Sequence, residues 1–250
     1  MNKKLLIVAS IIFLTMIIIS SIRITKGYTQ SSISDKLSKD AFENATEKVE
    51  VKSVFDTDFP IAMNIISQDP SFLPEQFRSK PEEYQPTSMG NPYKVYTADK
   101  SFVQKFKLSG QFGSILSGEY LWEVPILDNS GRVVSSSTVW ENNGKWEVGL
   151  TGLNIPPDFV QLSSDNDLIA ELLINNDLTK FKELKHIRVF KMDAIYLVSK
   201  SGDEYIIPMS FRPDLVGLDN LKVYTADEAM KVISERVIFG ADDNGAILSD

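Results

Sequence analysis

The chain has 250 residues, with 26 Lys and Arg against 34 Asp and Glu, a formal net charge of −8, one histidine and no cysteine. Residues 1–26 hold four of the bases (Lys3, Lys4, Arg23, Lys26) and no acid, which leaves 22 against 34 in the remainder, a net of −12. This balance excludes the basic face that nucleic-acid phosphates need, and the missing cysteines exclude disulfides, thiol nucleophiles and cysteine-ligated metal. No nucleic-acid partner, metal or cofactor is expected.

Leu5 to Ile22 contains no charge, and fourteen of its eighteen residues are apolar. As a helix it would reach roughly 27 Å, close to the hydrocarbon thickness of a bilayer. The basic start is that of a secretory signal. The apolar run, however, exceeds a signal core of about 7–15 residues, and no small-residue cleavage site follows it. Residues 1–27 therefore read as an uncleaved signal anchor, inserted in the membrane through residues 5–22. The short basic tail stays inside, which places the C-terminal domain outside the cytoplasm. Cleavage and secretion is the alternative.

Residues 28–58 are rich in Ser, Thr, Lys, Asp and Glu and read as a polar stalk, with a helical stretch from Asp35 to Lys48 and a short strand from Lys48 to Phe55. Residues 59–92 hold six of the eleven prolines, interleaved with aromatics. Proline removes backbone donors, so this segment is expected to be an extended arm without long regular elements. Phe72, Phe77 and Tyr84 make it a candidate interaction surface, packed on the body or offered to a partner.

Residues 93–160 read as a helix plus a three-stranded meander. Tyr120, Trp122, Val124 and Ile126 alternate with their neighbours, Asp128-Asn129-Ser130-Gly131 turns the chain, and Arg132 to Trp140 returns. Asn143-Gly144 is a hairpin signal because both residues tolerate positive φ. Trp146, Val148 and Leu150 alternate in the third strand. Pro125 predicts that the first strand lies at a sheet edge.

Residues 161–240 read as helix, hairpin and C-terminal helix. Ser164 is the expected cap of a helix from Asp165 to Ile174. Lys185 to Ser199 reads as extended, Ser201-Gly202-Asp203 as a turn, and Tyr205 to Phe211 as the return strand. Thr225 and Glu228 form a capping box at the start of an amphipathic helix through Val237. Residues 241–250 read as an acidic tail.

Lys94-Val95-Tyr96-Thr97-Ala98-Asp99 recurs as Lys222-Val223-Tyr224-Thr225-Ala226-Asp227. Each copy reads as a strand entering a Thr-capped helix, either by duplication of a helix-plus-hairpin unit or by independent use of a good junction.

No motif carries an established chemistry. His186 lies in a predicted strand with no G-x-S-x-G nearby, so a partly exposed strand histidine is expected. Asp165-Asn166-Asp167 and Asp242-Asp243-Asn244-Gly245 lack the ligand spacing of a calcium loop. Trp122, Trp140 and Trp146 could stack on sugars, with two of Glu119, Glu123, Glu141 and Glu147 as a hydrolytic pair. The same residues also suit a half-solvated sheet.

The expected fold is α+β: an N-terminal transmembrane helix, then helices on antiparallel meanders, in two related units if the repeat is a duplication. The leading reading of function is a membrane-tethered, non-enzymatic extracytoplasmic module that binds or regulates another cell-envelope protein. The alternative is a wall-polysaccharide binder or glycoside hydrolase built on the 120–150 meander.

Overall fold

The computed structural model describes residues 29–37, 41–69, 73, 77–98, 101–151, 156–190 and 192–240. Residues 5–22, expected to be the anchor, Phe72 and residues 241–250, expected to be the tail, lie outside them. Among the described residues no helix is long and apolar enough to cross a membrane.

Two compact units are distinguished. In one, a helix over residues 29–37 (α1) accompanies the helix Asn166–Asn175 (α5). Ser34 Oγ donates to Asp167 Oδ1 at 2.8 Å, and Ile33 is buried.

The other unit is α+β and contains the whole sheet. Its nine strands are β1 (Pro86–Met89), β2 (Tyr93–Ala98), β3 (Leu116–Asp128), β4 (Val133–Asn142), β5 (Lys145–Thr151), β6 (Phe181–Val189), β7 (Met192–Ser199), β8 (Glu204–Pro208) and β9 (Tyr224–Thr225). The order is β5-β4-β3-β2-β6-β7-β8-β9, with β1 beside β3. All pairings are antiparallel except β2 with β6. The predicted β3–β4–β5 meander is present, and Asn143 (φ 51°) and Gly144 (φ 78°) make its second turn. A second meander, β6–β7–β8, is joined to the first by the parallel β2–β6 pairing, so one sheet spans both segments that the sequence presents as separate units.

Strand alternation divides side chains between two faces. Trp122, Val124 and Ile126 of β3 and Ile187 and Val189 of β6 share one face, which is covered by two cores. Near the sheet's β5 end the helix α2 (Lys48–Gln68) contributes Val51 and Phe55, joined by Phe42. Near its β8 end α3 (Phe102–Ser109) and α7 (Ala226–Gly240) contribute Phe102, Ala229, Met230 and Ile233. On the opposite face Tyr93 and Val95 pack against Val160 of α4 (Pro157–Ser164). A short helix, α6 (Pro213–Val216), precedes α7.

Several expectations are corrected. The first part of the arm is not extended: α2 runs from the end of the stalk through residues 59–68, and the predicted strand from Lys48 to Phe55 is helical. Pro60 lies inside α2, where it removes one backbone hydrogen bond. The helix continues because Val51, Phe55 and Phe59 recur every four residues on the face turned to the sheet, with the two phenyl rings stacked at 4.7 Å. Pro125 is not at an edge, since β3 has β4 on one side and β1 and β2 on the other. Its missing N–H falls at the break between β1 and β2, where Gly90 N donates to Pro125 O at 2.7 Å. Gly90 is required there: a Cβ would lie 2.9 Å from Pro125 Cβ.

Ser164 does not cap α5. It ends α4, donating from Oγ to Gln161 O at 3.1 Å, because Pro156-Pro157 starts a separate helix upstream. Lys185 to Ser199 is a hairpin, with Phe190 at its turn in a left-handed conformation (φ 57°). The two copies of the hexamer differ in role. The first is mostly strand β2, and its Thr97 bonds Ser117 rather than capping α3. The second yields the two-residue β9 and the predicted capping box, with Thr225 N donating to Glu228 Oε2 at 2.8 Å and Glu228 N to Thr225 Oγ1 at 3.3 Å.

Candidate functional site

A cleft of ≈ 880 Å³ lies where three segments meet: the arm after Phe77, the β3–β4 turn and the start of α4. Each segment is fixed locally. On the arm, Pro81 starts a 3-10 turn over Pro81–Glu83, and Lys80 Nζ lies 2.8 Å from Glu83. Tyr84 then pins the arm to β4, its hydroxyl 2.7 Å from Ser135 Oγ and its ring 5.2 Å from that of Phe77.

In the turn, Asp128 Oδ1 accepts from Ser130 N and Arg132 N, while Oδ2 accepts from Arg132 Nη2 at 2.8 Å. The Ser130 hydroxyl and these backbone and guanidinium donors hold its carboxyl well below the usual carboxylate range. On α4, Pro157 occupies the first turn and Asp158 follows it, favoured there by the positive end of the helix dipole.

Phe77, Val133, Val134 and Pro157 supply the apolar part of the cleft. Glu82, Glu83, Asp128 and Asp158 supply acids from all three segments, with Arg132 the one lining cation among the described residues. Glu82 and Asp158 are exposed and make no ion pair among the described residues. Concave apolar surface with a few convergent polar groups is the usual composition of ligand-binding clefts.

A second cluster lies beneath α4 and is largely buried. In register, Tyr93 faces Glu123, Val95 faces His186, Thr97 faces Arg188, and Arg188 faces Asp193, which puts these side chains on one face. Arg188 Nη2 donates to Glu123 Oε2 at 3.0 Å, and Nε donates to Asp193 Oδ1 at 2.7 Å. Ser136 Oγ donates to Glu123 Oε1. Burial, aided by the charge of Glu123 and opposed by Arg188, pushes the Asp193 carboxyl up to about 6.

His186 is partly exposed, as expected, but its Nδ1 faces inward: the ring lies 4.8 Å from that of Tyr93, and the buried Nδ1 has no hydrogen-bond partner among the described residues. Burial lowers its pKa to about 4, so it is neutral at neutral pH. The cluster offers no exposed nucleophile. It clamps β3, β6 and β7 together across β2.

The three tryptophans do not form one platform. Trp122 is 0% exposed, edge-on to Phe42 at 4.8 Å, and its Nε1 donates to Glu47 at 3.2 Å. Trp146 lies on the same face, 6.4 Å from Tyr120. Trp140 lies on the opposite face, partly exposed and over Gly149. Lys94 Nζ sits 4.1 Å above the Tyr120 ring and 3.5 Å from Glu47.

The glutamates are likewise separated. Glu123 is buried, and Glu119, Glu141 and Glu147 are exposed. Because Glu141 pairs with Trp146 and Glu147 with Trp140, Glu141 and Glu147 project from opposite faces, unlike two acids flanking one glycosidic bond. Among the described residues no three His, Asp or Glu side chains converge as metal ligands do. Of the expected interaction residues, Phe77 lines the cleft, Tyr84 supports it, and Phe72 is outside the described residues. Sequence reasoning missed Glu82 and Asp158, which carry no local signal, and Arg188 and Asp193, whose signal was charge within an apolar hairpin.

No protein-family model matches the chain, and neither a curated protein nor a solved structure matches it.

Proposed function

We propose that the chain is a membrane-tethered extracytoplasmic binding module, held through residues 5–22, that engages another cell-envelope protein through the cleft between arm, β3–β4 turn and α4. The observation that carries the reading is the cleft itself: ≈ 880 Å³ of concave surface with an apolar lining and acids from three segments. The uncharged run from Leu5 to Ile22 supports the tether. A binding role rather than catalysis is supported by where the chemistry resides. Asp193 and the partly buried His186, whose proton affinities burial displaces, lie beneath α4 and do not line the cleft, where Asp128 is held ionised by its own turn.

The test is site-specific photocrosslinking in cells. A crosslinker at Gln85, in the cleft lining, captures one envelope protein, while the same group at Lys200, in the β7–β8 turn, does not. Capture from neither position, or equally from both, contradicts the reading.

A further inference from the structure

The cleft has a charge sign as well as a shape, and the sign identifies its occupant. Glu82 and Glu83 stand on the arm and Asp158 on α4, with Phe77, Val133 and Pro157 completing the same lining. The two cations at the rim are already engaged: Lys80 with Glu83, and Arg132 with Asp128. Lys80 and Glu83 are 61% and 54% exposed, so that pair is solvated and weakly held, and an incoming cation can replace the lysine at small cost. Asp128, 10% exposed and hydrogen-bonded within its turn, keeps Arg132, which leaves Glu82, Glu83 and Asp158 as the acids open to a ligand.

Beyond the anchor the chain carries 34 acids against 22 bases, so its wider field has the same sign. An acidic ligand meets like charge on separate walls of the cleft. A basic one meets opposite charge there and can lay its methylene stems along the apolar lining.

We infer that the cleft receives an extended segment of the partner protein that carries Lys or Arg side chains on both sides of an apolar residue. This rests on the binding-module reading and adds the chemistry of the partner to it.

The experiment uses the full chain in nanodiscs of zwitterionic lipid, with empty nanodiscs as the blank. A fluorescent nine-residue peptide of alternating lysine and valine is titrated against it, beside a twin with glutamate for lysine. The lysine peptide binds, and the glutamate twin does not. Glu82→Gln with Glu83→Gln and Asp158→Asn weakens binding at least tenfold. A control that removes the same charge elsewhere, Glu50→Gln with Glu119→Gln and Glu235→Gln, weakens it less than twofold. All six positions are exposed, so both variants fold. Equal weakening by the two triple variants, or equal binding of the two peptides, overturns the assignment. A partner segment captured at Gln85 that lacks Lys and Arg overturns it too, and leaves the binding-module reading standing.

Discussion

Arg188 on β6 reaches across β2 to Glu123 on β3, with Nη2 3.0 Å from Oε2. Its Nε simultaneously holds Asp193, at 2.7 Å, on the neighbouring strand. One guanidinium therefore serves two buried carboxylates, and the sheet's two meanders are tied by charge as well as by backbone pairing. Arg188→Met leaves both acids without their cation and destabilises the protein by about 3–5 kcal/mol. Adding Glu123→Gln and Asp193→Asn to that variant recovers most of the loss. Urea denaturation at pH 7.5 measures both; no recovery in the triple variant would show that Arg188 acts through packing alone.

Asp193 contributes stability that grows on mild acidification. Its folded-state pKa, about 6, lies above the ordinary value of 3.8, so between these limits the folded protein binds a proton that the unfolded chain does not. Stability from this group increases as pH falls from 7 to 4, by at most about 3 kcal/mol. Glu47 has the opposite sign. Burial opposes its ionisation, but hydrogen bonds from Tyr120 and Thr46 and the charge of Lys94 bring it down to about 2. Its contribution is complete above pH 4.5 and is lost as pH falls toward 2. His186 also opposes Asp193: its folded-state pKa, about 4, lies below the ordinary 6.5, so its contribution is lost as pH falls from 6.5 to 4. Thermal unfolding in half-unit pH steps, wild type beside Asp193→Asn, isolates the aspartate: wild type gains on the variant as pH falls from 7 to 4, and both share the acid loss. Parallel profiles of the two proteins across pH 7 to 4 contradict the assignment.

Much of the β-structure is legible in the sequence because its signals are local. Asn143-Gly144 fixes one turn, Thr225 and Glu228 fix the start of α7, and alternation fixes β3 and β5. The helix α2 is hidden because Lys52, Asp56 and Pro60 separate Val51, Phe55 and Phe59, and only the sheet beneath reveals the three as one stripe. The parallel β2–β6 contact joins residues about ninety positions apart, and no local pattern encodes it. In the candidate site Phe77 was readable from aromatic density. Glu82 and Asp158 were not, because an exposed acid looks the same in the sequence whether it lines a cleft or a plain surface.

Trp140 lies over Gly149 so closely that a Cβ there would sit 1.7 Å from Cζ3 of its ring and 2.6 Å from Thr138 Oγ1. Gly149→Ala therefore drives the indole from its seat and costs about 1–3 kcal/mol. In a Trp140→Ala background most of that cost disappears, because the displaced ring is gone. The four-member double-mutant cycle, read by urea midpoints, measures the coupling; additive effects contradict the contact.

Trp122 is a core residue, not a contact for a ligand. Its indole is fully buried against Phe42 and hydrogen-bonded to Glu47. Trp122→Ala is expected to cost about 3–5 kcal/mol of stability. Trp146→Ala, at a half-buried site, costs less. Chemical denaturation of the two variants orders them, and the reverse order would move Trp122 out of the core.

As proposed, the binding module is tethered at the membrane with its cleft outside the cytoplasm. The most direct test is fractionation of cells expressing a C-terminally tagged full chain, followed by protease treatment of intact cells or spheroplasts. A tethered, outward-facing module leaves a tag that sediments with the membrane and is removed by external protease. A membrane-bound tag that stays protected until lysis, or a shortened protein in the medium, contradicts that placement.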